Sequence, residues 1–306
     1  MNYNLIKSAL TNISTAHKSI GMIAEEIFPD VLVTKTAGKF YTFDNAHLRR
    51  EDADRASKTR SNEVNNNVST GDYVLAKKAF HTKVDQEDRD NAAGTAIDPD
   101  ATATELVTDL LAQDKEKAVV DIVFGSANYN TGQKASLTGI LRWDISSLGN
   151  PIAQITSGKT VVHEKIGRRP NVLVVGRKVM DKLKTNDLIR DYVKYVTGGV
   201  PNEAVLAGLF EVDKFLVADG IYNSTDEGQT DSLLLIWGKK AALLYVEPRA
   251  AIMRPTFGYI FTKANGRFVK KWYEDGPDTD FIEVQDQYQV KKIDSAAGYL
   301  LGDVVS

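Results

Sequence analysis

The spacing of hydrophobic residues changes along this chain, and each spacing predicts a different kind of secondary structure. Between residues 97 and 124 the apolar positions recur every three or four residues, which is typical of a helix with one buried face. Asp98 is a favourable N-cap, and Pro99 suits the first helical position. We therefore predict a helix over 98–124, roughly 39 Å long. Its predicted buried face consists of Ala103, Leu106, Val107, Leu110, Leu111, Ala118, Ile122 and Val123.

Beyond residue 168, short and nearly continuous apolar runs predict hydrophobic strands. These runs are "PNVLVVG" (170–176), "KFLVAD" (214–219), "DSLLLIWG" (231–238) and "KAALLYVE" (240–247), with Gly238 near the turn between the last two. Short helices are predicted over 177–196 and 201–210. Residues 256–294 predict successive antiparallel strands with a hairpin signal at Asn265-Gly266, and 298–305 predicts a last strand. The turn-rich segment 128–152 is expected to be irregular.

The first quarter of the chain combines weak periodicity with a long charged segment. Residues 4–28 predict an N-terminal arm with some helix, which stops at Pro29. "VLVTKTAGKFYTF" (31–43) predicts an extended segment with a turn at Ala37-Gly38, and "STGDYVLAKKAFHTKVD" (69–85) predicts the return. Between them, "HLRREDADRASKTRSNEVNNN" (47–67) holds five positive and four negative residues and cannot bury a face of its own. The pattern predicts a protruding hairpin, which needs a surface to lie on because an isolated hairpin is marginally stable.

Composition narrows the class of protein. A length of 306 residues, with 42% hydrophobic and 26% charged residues, is typical of one or two globular domains. A net charge of −3 argues against a dedicated nucleic-acid-binding domain. The absence of cysteine excludes disulfides and thiolate metal sites, and fits synthesis in a reducing cytoplasm. We expect no secretion signal and no membrane span.

The sequence offers no set of residues for catalysis, metal binding or phosphate binding. Its four histidines form no HExxH pattern, and the acidic stretch 84–94 departs from the calcium-loop spacing. Gly176 ends a predicted strand but belongs to no GxGxxG or GxxxxGK[ST] motif, and no GxSxG occurs. We therefore predict a protein that is not an enzyme and holds no cofactor and no metal. The alternative from another class is an α/β enzyme with its site at the C-terminal end of strand 171–175.

Five segments, taken in order, resemble one known family. They are "AEEIFPDVLVTKTAGKFYTFDNAHLRRED" (24–52), "STGDYVLAKKAFHTKVDQEDRDNA" (69–92), "RRPNVLVVGRKVMDKLKTND" (168–187), "LAGLFEVDKFLVADGIYN" (206–223) and "SLLLIWGKKAALLYVEP" (232–248). Together they cover well over half of the chain. By their number and order they resemble the major capsid proteins of tailed double-stranded-DNA bacteriophages, which have the Hong Kong 97-type fold.

The resemblance implies an α+β fold divided into an arm, a loop and two domains. Residues 1–30 would form the N-terminal arm, and residues 31–84 would form the extended loop, a long β-hairpin that reaches onto a neighbouring subunit. Residues 85–154 and 261–306 would form the peripheral domain, with the helix at 98–124 as its spine. Residues 155–260 would form the axial domain, an α/β unit around the five- or six-fold centres.

An extended loop of this kind implies intersubunit contacts, and its mixed charges suit reciprocal ion pairs between subunits. Each exposed pair contributes only about 0–1 kcal/mol, but a closed shell repeats every contact many times. The predicted contact residues are Phe40, Tyr41, Phe43, Arg49, Arg50, Glu51, Asp52, Asp54, Arg55, Lys58, Arg60 and Glu63.

The resemblance also implies partners and a location. Copies would self-assemble as pentamers and hexamers into the icosahedral head shell of the virion, after synthesis in the cytoplasm of the bacterial host. The shell would enclose the phage's double-stranded DNA without sequence specificity, contact portal and decoration or minor capsid proteins, and touch no membrane. The arm is too short to contain a scaffolding domain, so we expect a separate scaffolding protein or none. The alternative with the same fold is an encapsulin-like nanocompartment shell that encloses cargo enzyme.

Overall fold

In the computed structural model, the described residues form two five-stranded sheets with helices packed on them, and two small two-stranded sheets. The structure describes residues 6–42, 50, 53–55, 57–61, 63, 69–145, 149–195, 201–226, 228–249, 254–276 and 278–306. The helices are α1 (Ser8–Ala16), α2 (Ala24–Ile27), α3 (Gln86–Ala92), α4 (Pro99–Val123), α5 (Pro151–Ile166), α6 (Arg177–Thr185), α7 (Asp187–Val193) and α8 (Glu203–Phe210). The strands are β1 (Asp30–Val33), β2 (Ala37–Thr42), β3 (Ser69–Val74), β4 (Ala76–Asp85), β5 (Lys134–Ser136), β6 (Val172–Gly176), β7 (Lys214–Ala218), β8 (Ile221–Asn223), β9 (Leu233–Leu235), β10 (Ala241–Leu244), β11 (Gly258–Lys263), β12 (Phe268–Glu274), β13 (Thr279–Lys292) and β14 (Gly298–Gly302).

Strand β13 is the centre of the first sheet. It pairs antiparallel with β4 on one side and with β12 and β11 on the other, and β1 runs parallel to β11 at the edge. Helix α4 packs on one face of this sheet, where Val107 and Leu111 contact the same apolar cluster as Ile282 and Val284. Leu10 of α1 belongs to that cluster too, so the N-terminal arm and α4 cover the same face of the sheet.

The long helix and its start confirm the sequence prediction. The Asp98 side chain accepts hydrogen bonds from the backbone amides of Asp100 and Ala101, and Pro99 is the first helical residue. The helix ends at Val123, one residue before the predicted limit.

The predicted buried face of α4 is wrong at two positions. Leu106 is 54% exposed and Leu110 is 43% exposed. The helix instead turns polar residues such as Thr108 and Glu116 inward, where each one has a hydrogen-bond partner. Since a satisfied polar residue can be buried at little net cost, hydrophobicity alone misplaces the buried face.

Asn265-Gly266 marks a bulge and not the predicted hairpin. Strand β11 pairs with residues 288–292 of β13, and β12 pairs with residues 279–285, both antiparallel. The two strands therefore run in the same direction along one edge of β13, and Asn265, with a φ of 56°, lies in the short break between them. The chain direction reverses between β12 and β13, in the segment that contains Gly276.

The second sheet has the strand order β5-β14-β10-β6-β7 and mixes parallel with antiparallel pairs. Every residue of β6, β10 and β14 is buried. Gly176 at the end of β6 has a structural explanation, because a Cβ there would overlap the backbone oxygens of Trp237 and Gly238. The close approach of the two backbones therefore explains this glycine without a ligand.

Several predicted segments belong elsewhere in the fold. Ala37 and Gly38 lie inside β2, and the chain bends before them, at 34–36. Strand β1, predicted as part of the extended loop, pairs with β11 of the first sheet, and 69–85 is two strands, of which β4 pairs with β13. The predicted peripheral domain includes residues 261–306, and so places the last strand, β14, together with β13. In the structure β14 lies in the second sheet, whereas β13 lies in the first.

Two more predictions are corrected around the second sheet. Only Leu233–Leu235 of the segment 231–238 forms a strand, and this strand pairs with β8, with Leu233 65% exposed. The segment predicted as irregular contains β5 and ends in the first turn of α5. Asn150 caps α5 by accepting a hydrogen bond from the Ala153 amide, and Gly167 ends it with a φ of 69°.

Candidate intersubunit surface

Strands β2 and β3 form a six-pair antiparallel hairpin that leaves the first sheet. Its pairs run from Ala37 and Val74 at the base to Thr42 and Ser69 on the side of the charged segment. At the base, the Val74 amide donates to Gln289 Oε1 at 2.9 Å. The Leu75 amide donates to the Thr36 oxygen at 2.7 Å. The first bond attaches the base of the hairpin to strand β13, and the second closes the hairpin between the residue before β2 and the residue after β3.

Two glycines let two aromatic rings lie flat across the hairpin. Phe40 is paired with Gly71, and Tyr73 is paired with Gly38. A Cβ at either glycine would overlap the ring of its cross-strand partner. The missing side chains therefore allow both rings to cover one face of the hairpin, which turns that face into an aromatic surface.

This aromatic face packs onto the first sheet through Phe261. The ring centroids of Tyr73 and Phe40 lie 4.8 Å and 5.5 Å from that of Phe261. Tyr73 and Phe261 are buried, together with Leu75 and Tyr259. Burial of one such side chain contributes roughly 1.5–3 kcal/mol, so the chain itself anchors the base of the hairpin.

A cavity of about 240 Å³ remains between the hairpin base and the sheet. Tyr259 lines it, and burial raises the pKa of Tyr259 to about 12, a rise that the hydrogen bond from Thr256 reduces and the charge of Glu247 increases. Its hydroxyl donates to the Glu247 backbone oxygen at 3.3 Å. The side chain therefore stays neutral at physiological pH and acts as a hydrogen-bond donor.

The far end of the hairpin carries charged and exposed side chains. In the described part of the charged segment, Lys58 adopts a left-handed conformation with a φ of 64°. Arg55 Nε donates to the Thr59 oxygen at 2.6 Å, which closes a short local turn. The exposed charged residues of this part, which we call the tip, are Arg50, Asp54, Arg55, Lys58, Arg60 and Glu63.

The structure separates the predicted contact residues into groups. Phe40 is half-buried against its own chain, whereas Tyr41, on the opposite face of the hairpin, is 52% exposed. The six residues of the tip are exposed as well. Phe43, Arg49, Glu51 and Asp52 lie outside the described residues. The contact role of the whole set stays a prediction.

Sequence reasoning missed the residues that hold the hairpin in place. Tyr73, Phe261 and Gln289 fix its base, and Gly38 and Gly71 make space for the rings. One signal was present: each glycine lies two residues from an aromatic residue in a predicted strand, and glycine inside a strand often marks a close approach. The partner Phe261 is distant in sequence, so no local pattern identifies it.

The described residues contain no group of three or more histidine, aspartate or glutamate side chains that could hold a metal ion. Over the same residues, no helix has the length and hydrophobicity required to cross a membrane. What the hairpin offers is an exposed, charged surface on an anchored base.

Known proteins of similar sequence were found for nearly the whole chain. No family model matches the chain. The major capsid protein of Burkholderia phage BcepMu is 27% identical over 307 residues, which cover 98% of this chain and 97% of that protein. The major capsid protein of Pseudomonas phage JBD67 is 30% identical over 246 residues, which cover 78% of this chain and 77% of that protein.

Solved structures show the same fold at lower identity. A phage-related protein of Bordetella bronchiseptica RB50 superimposes with a TM-score of 0.79 at 24% identity, over 98% of both chains. The encapsulin of Synechococcus elongatus PCC 7942 superimposes with a TM-score of 0.56 at 11% identity, over 97% of this chain and 95% of the encapsulin chain. Phage and nanocompartment proteins therefore share this architecture.

The fold and the exposed hairpin thus define an α+β protein of the Hong Kong 97-type capsid class. Within this class, the chain belongs to the family of major capsid proteins of tailed bacteriophages, which form the head shell of the virion. Its function is structural and not enzymatic. The two curated relatives are phage proteins, which favours the head shell over the nanocompartment alternative.

Proposed function

We propose that the chain assembles as pentamers and hexamers into an icosahedral shell, in which the β2–β3 hairpin of each copy docks on a neighbouring copy. The observation that carries this proposal is the contrast within the hairpin. Its base is fixed by Tyr73 and Phe261, while the tip is exposed. An anchored base with an exposed end is suited to reaching a surface on another molecule.

The charges of the tip support a polar contact rather than an apolar one. Its four positive and two negative side chains are all exposed. Exposed ion pairs contribute about 0–1 kcal/mol each and weaken with salt. A shell held by many such pairs is stable through their number, and a wrongly placed subunit can leave because each single pair is weak.

The same proposal assigns each segment of the chain to one part of the capsid subunit. Residues 1–30 act as the arm, the β2–β3 hairpin with the charged segment between its strands acts as the loop that reaches out, the peripheral domain contains α4, and most of residues 155–260 form the axial domain. The shell encloses double-stranded DNA without sequence specificity, which the small net charge of −3 supports. Portal, scaffolding and decoration proteins are the expected partners of such a shell.

Replacement of residues 47–67 by a short Gly-Ser turn tests the docking role. We expect the variant to keep its secondary structure and thermal transition, because the hairpin base and both five-stranded sheets are untouched. We expect electron microscopy and light scattering to detect free subunits or incomplete particles in place of closed shells. Shells of normal size and yield from this variant would contradict the docking role of the tip.

A matched pair of substitutions separates the effect of the charges of the tip on assembly from the effect of its length. Arg55→Glu with Arg60→Glu reverses two exposed charges, whereas Arg55→Lys with Arg60→Lys preserves them. We expect the reversal to lower the yield of shells and the conservative pair to leave it near normal. Equal yields from the two variants would show that the charges of the tip do not contribute to assembly.

A further inference from the structure

The face of the first sheet that points away from α4 carries a small aromatic cluster. Side chains of a strand alternate between the two faces, so Ile282 points to α4 and Phe281 points away from it. Trp272 of β12 pairs with Phe281, and their rings stack with centroids 5.4 Å apart and planes 7° apart. The His81 ring of β4 lies 5.7 Å from Phe281 and 6.2 Å from Trp272. Because His81 is exposed and Trp272 is partly exposed, a partner can reach this cluster from solvent.

This cluster already has a cation next to it. Lys83 Nζ lies 5.6 Å from the ring centroid of Phe281. The attraction between a cation and the face of a ring is strongest for tryptophan, and arginine takes part in it more often than lysine. The partly exposed ring of Trp272 therefore offers a second position for a cation, and an arginine suits it best.

Four exposed carboxylates surround the end of the sheet beside the aromatic cluster. Thr279, the first residue of β13, pairs with Asp85 on one side and with Glu274 on the other. Asp275 follows Glu274, and Asp278 precedes Thr279, and all four acidic residues are exposed. Like charges at such close positions repel one another, so a positively charged partner would lower the free energy of this end of the sheet.

The tip of the hairpin has the complementary composition. It carries four positive and two negative side chains, and three of the positive ones are arginines. Arginine is the residue that both stacks on an aromatic face and binds a carboxylate through two parallel hydrogen bonds. The chemistry of the tip therefore matches the aromatic cluster and the carboxylates together.

The position of the carboxylates leaves them free for a second copy. They lie roughly 34 Å along β13 from the hairpin base, at about 3.4 Å per residue over the ten residues from Thr279 to Gln289. A tip that arrives from another copy can therefore bind there without displacing the anchored base around Phe261.

We infer that the tip of one copy docks on this end of the first sheet in a neighbouring copy, with its guanidinium groups against the Trp272 ring and the carboxylates. We call the receiving surface the seat; it consists of Trp272, His81, Asp85, Glu274, Asp275 and Asp278. The inference rests on the proposed docking of the hairpin, and it adds the surface on which the hairpin docks.

Charge reversal on both sides of the contact tests the seat. Glu274→Lys with Asp275→Lys reverses two exposed charges of the seat, and Arg55→Glu with Arg60→Glu reverses two of the tip. We expect each reversal alone to lower the yield of shells at least about fivefold, because every contact is repeated around the shell, and the two reversals combined in one chain to restore most of it. The thermal transition of the unassembled chain should stay unchanged, since all four positions are exposed.

The two reversals also separate this inference from the proposed function. Normal assembly of the seat reversal beside poor assembly of the tip reversal would overturn the seat and leave docking itself in place. Normal assembly of both would overturn the role of charge in docking as well.

Cross-linking locates the contact directly, because the chain has no cysteine of its own. Glu63→Cys places a thiol on the tip, and Gly276→Cys places one beside the seat, where a new Cβ meets no atom within 4 Å. With a short bis-maleimide, shells of the double variant should give bands of two and more subunits in a denaturing gel. The control joins Glu63→Cys to Glu203→Cys, an exposed position on α8, and should give the band of a single subunit. Closed shells without the cross-link, or equal cross-linking in the control, would place the tip elsewhere and overturn the inference.

Tryptophan fluorescence tests the aromatic half of the seat. Trp143 and Trp237 are fully buried, so quenching by acrylamide reports chiefly on Trp272 among the three tryptophans. We expect quenching to be weaker in shells of the unsubstituted chain than in its unassembled form, because a docked tip covers the ring. Equal quenching in the two forms would show that Trp272 stays open in the shell and would overturn its part in the contact.

Discussion

The two five-stranded sheets are stabilised by different kinds of interaction. Strands β6, β10 and β14 of the second sheet consist of buried glycine, alanine, aliphatic and tyrosine residues, with no charged side chain among them. Strand β13 of the first sheet buries Asp286 almost completely, and α4 above it buries Lys115. One sheet depends on apolar packing, and the other depends on paired polar groups as well.

Asp286 shows how the first sheet satisfies a buried charge. Its Oδ2 accepts hydrogen bonds from Arg267 Nε at 3.0 Å and from the Arg267 guanidinium NH2 group at 2.8 Å. Lys115 Nζ lies 3.9 Å from the same oxygen, and the Gln287 amide donates to Oδ1 at 2.8 Å. The carboxylate is thus matched by Arg267, which directly precedes β12, by the backbone of β13 and by Lys115 of α4.

A second set of charges joins the start of α4 to the edge of the same sheet. Arg89 bonds Asp100 at 2.8 Å and Asp280 at 2.7 Å. Lys271 forms ion pairs with the same two carboxylates. The four side chains form a closed ring of alternating charge, about one-fifth exposed, so each member has two partners.

The comparison shows which kind of substitution should destabilise each sheet. Loss of a methyl group from the second sheet removes contacts in proportion to the cavity that is left. Loss of one charge from the first sheet leaves its partners buried and uncompensated, which costs more than the pair contributes. The predictions below separate these two mechanisms.

The largest effect is expected for Asp286→Ala. This change leaves Arg267 and Lys115 without their common partner, so we expect the free energy of unfolding of the unassembled chain to fall by about 4 kcal/mol. Urea unfolding followed by circular dichroism measures the loss. Glu283→Ala, on the same strand, breaks a pair with the half-exposed Lys270 and should cost less than about 1 kcal/mol. Equal losses from the two variants would contradict the importance of burial.

Leu243→Ala tests the second sheet by the same measurement. Leu243 is fully buried in β10 between β6 and β14. We expect a loss of about 3 kcal/mol, which combines the lost transfer energy with a cavity, and no change in this loss with salt concentration. Leu243→Met preserves the volume and should cost less than about 1.5 kcal/mol. A loss that shrinks in salt would show that charges and not apolar contacts hold this sheet.

The same contrast explains how much of the fold could be predicted from sequence. The runs around Val174 and Leu243 are continuous and apolar, so their burial was evident. Asn150-Pro151 and Gly167 carry the ordinary start and stop signals of a helix. The hydrophobic pattern did not predict α5 between them, although these capping signals indicate it.

The first sheet could be predicted only in part, for a physical reason. Asp286 and Lys115 look like surface residues in the sequence, because only their partners, distant along the chain, make burial possible. Likewise, the hydrophobic Leu106 and Leu110 look like core residues but are exposed. The candidate site shows the same division: the charged tip was evident from composition, whereas the ring contacts of Phe261 at the base depend on tertiary structure.

Asp100→Asn tests the ring of charges through its pH dependence. Burial would raise the pKa of Asp100, but the hydrogen bonds and charges of Lys271 and Arg89 lower it overall. A lowered folded-state pKa means that the ring stabilises the chain above about pH 4 and that this stability is lost as the pH falls through the lowered value. We expect Asp100→Asn to be about 1 kcal/mol less stable than the unsubstituted chain at pH 7, as for a pair near the surface.

The two proteins should therefore converge in stability toward acidic pH, which urea unfolding across a pH series measures. Asp121→Asn is the matched control on the same helix, because Asp121 forms a surface ion pair with the exposed Lys117. This control should follow the unsubstituted chain at every pH. A constant gap between Asp100→Asn and the unsubstituted chain would show that the ionisation of Asp100 does not contribute to stability.

The smallest global effect is expected in the hairpin, which belongs to neither sheet. In Gly71→Ala the new Cβ meets the ring of Phe40 and pushes it away from Phe261, so the base loses part of its anchor. The unfolding free energy should change by less than about 1 kcal/mol, because most residues of the hairpin are partly or fully exposed in the isolated chain. Hydrogen exchange should nevertheless accelerate at the Val74 amide, which bonds Gln289, and stay unchanged in β10. Asp72→Ala, on the exposed face of the same strand, should leave that amide protected, so acceleration in both variants would mean that the aromatic face is not the anchor of the hairpin.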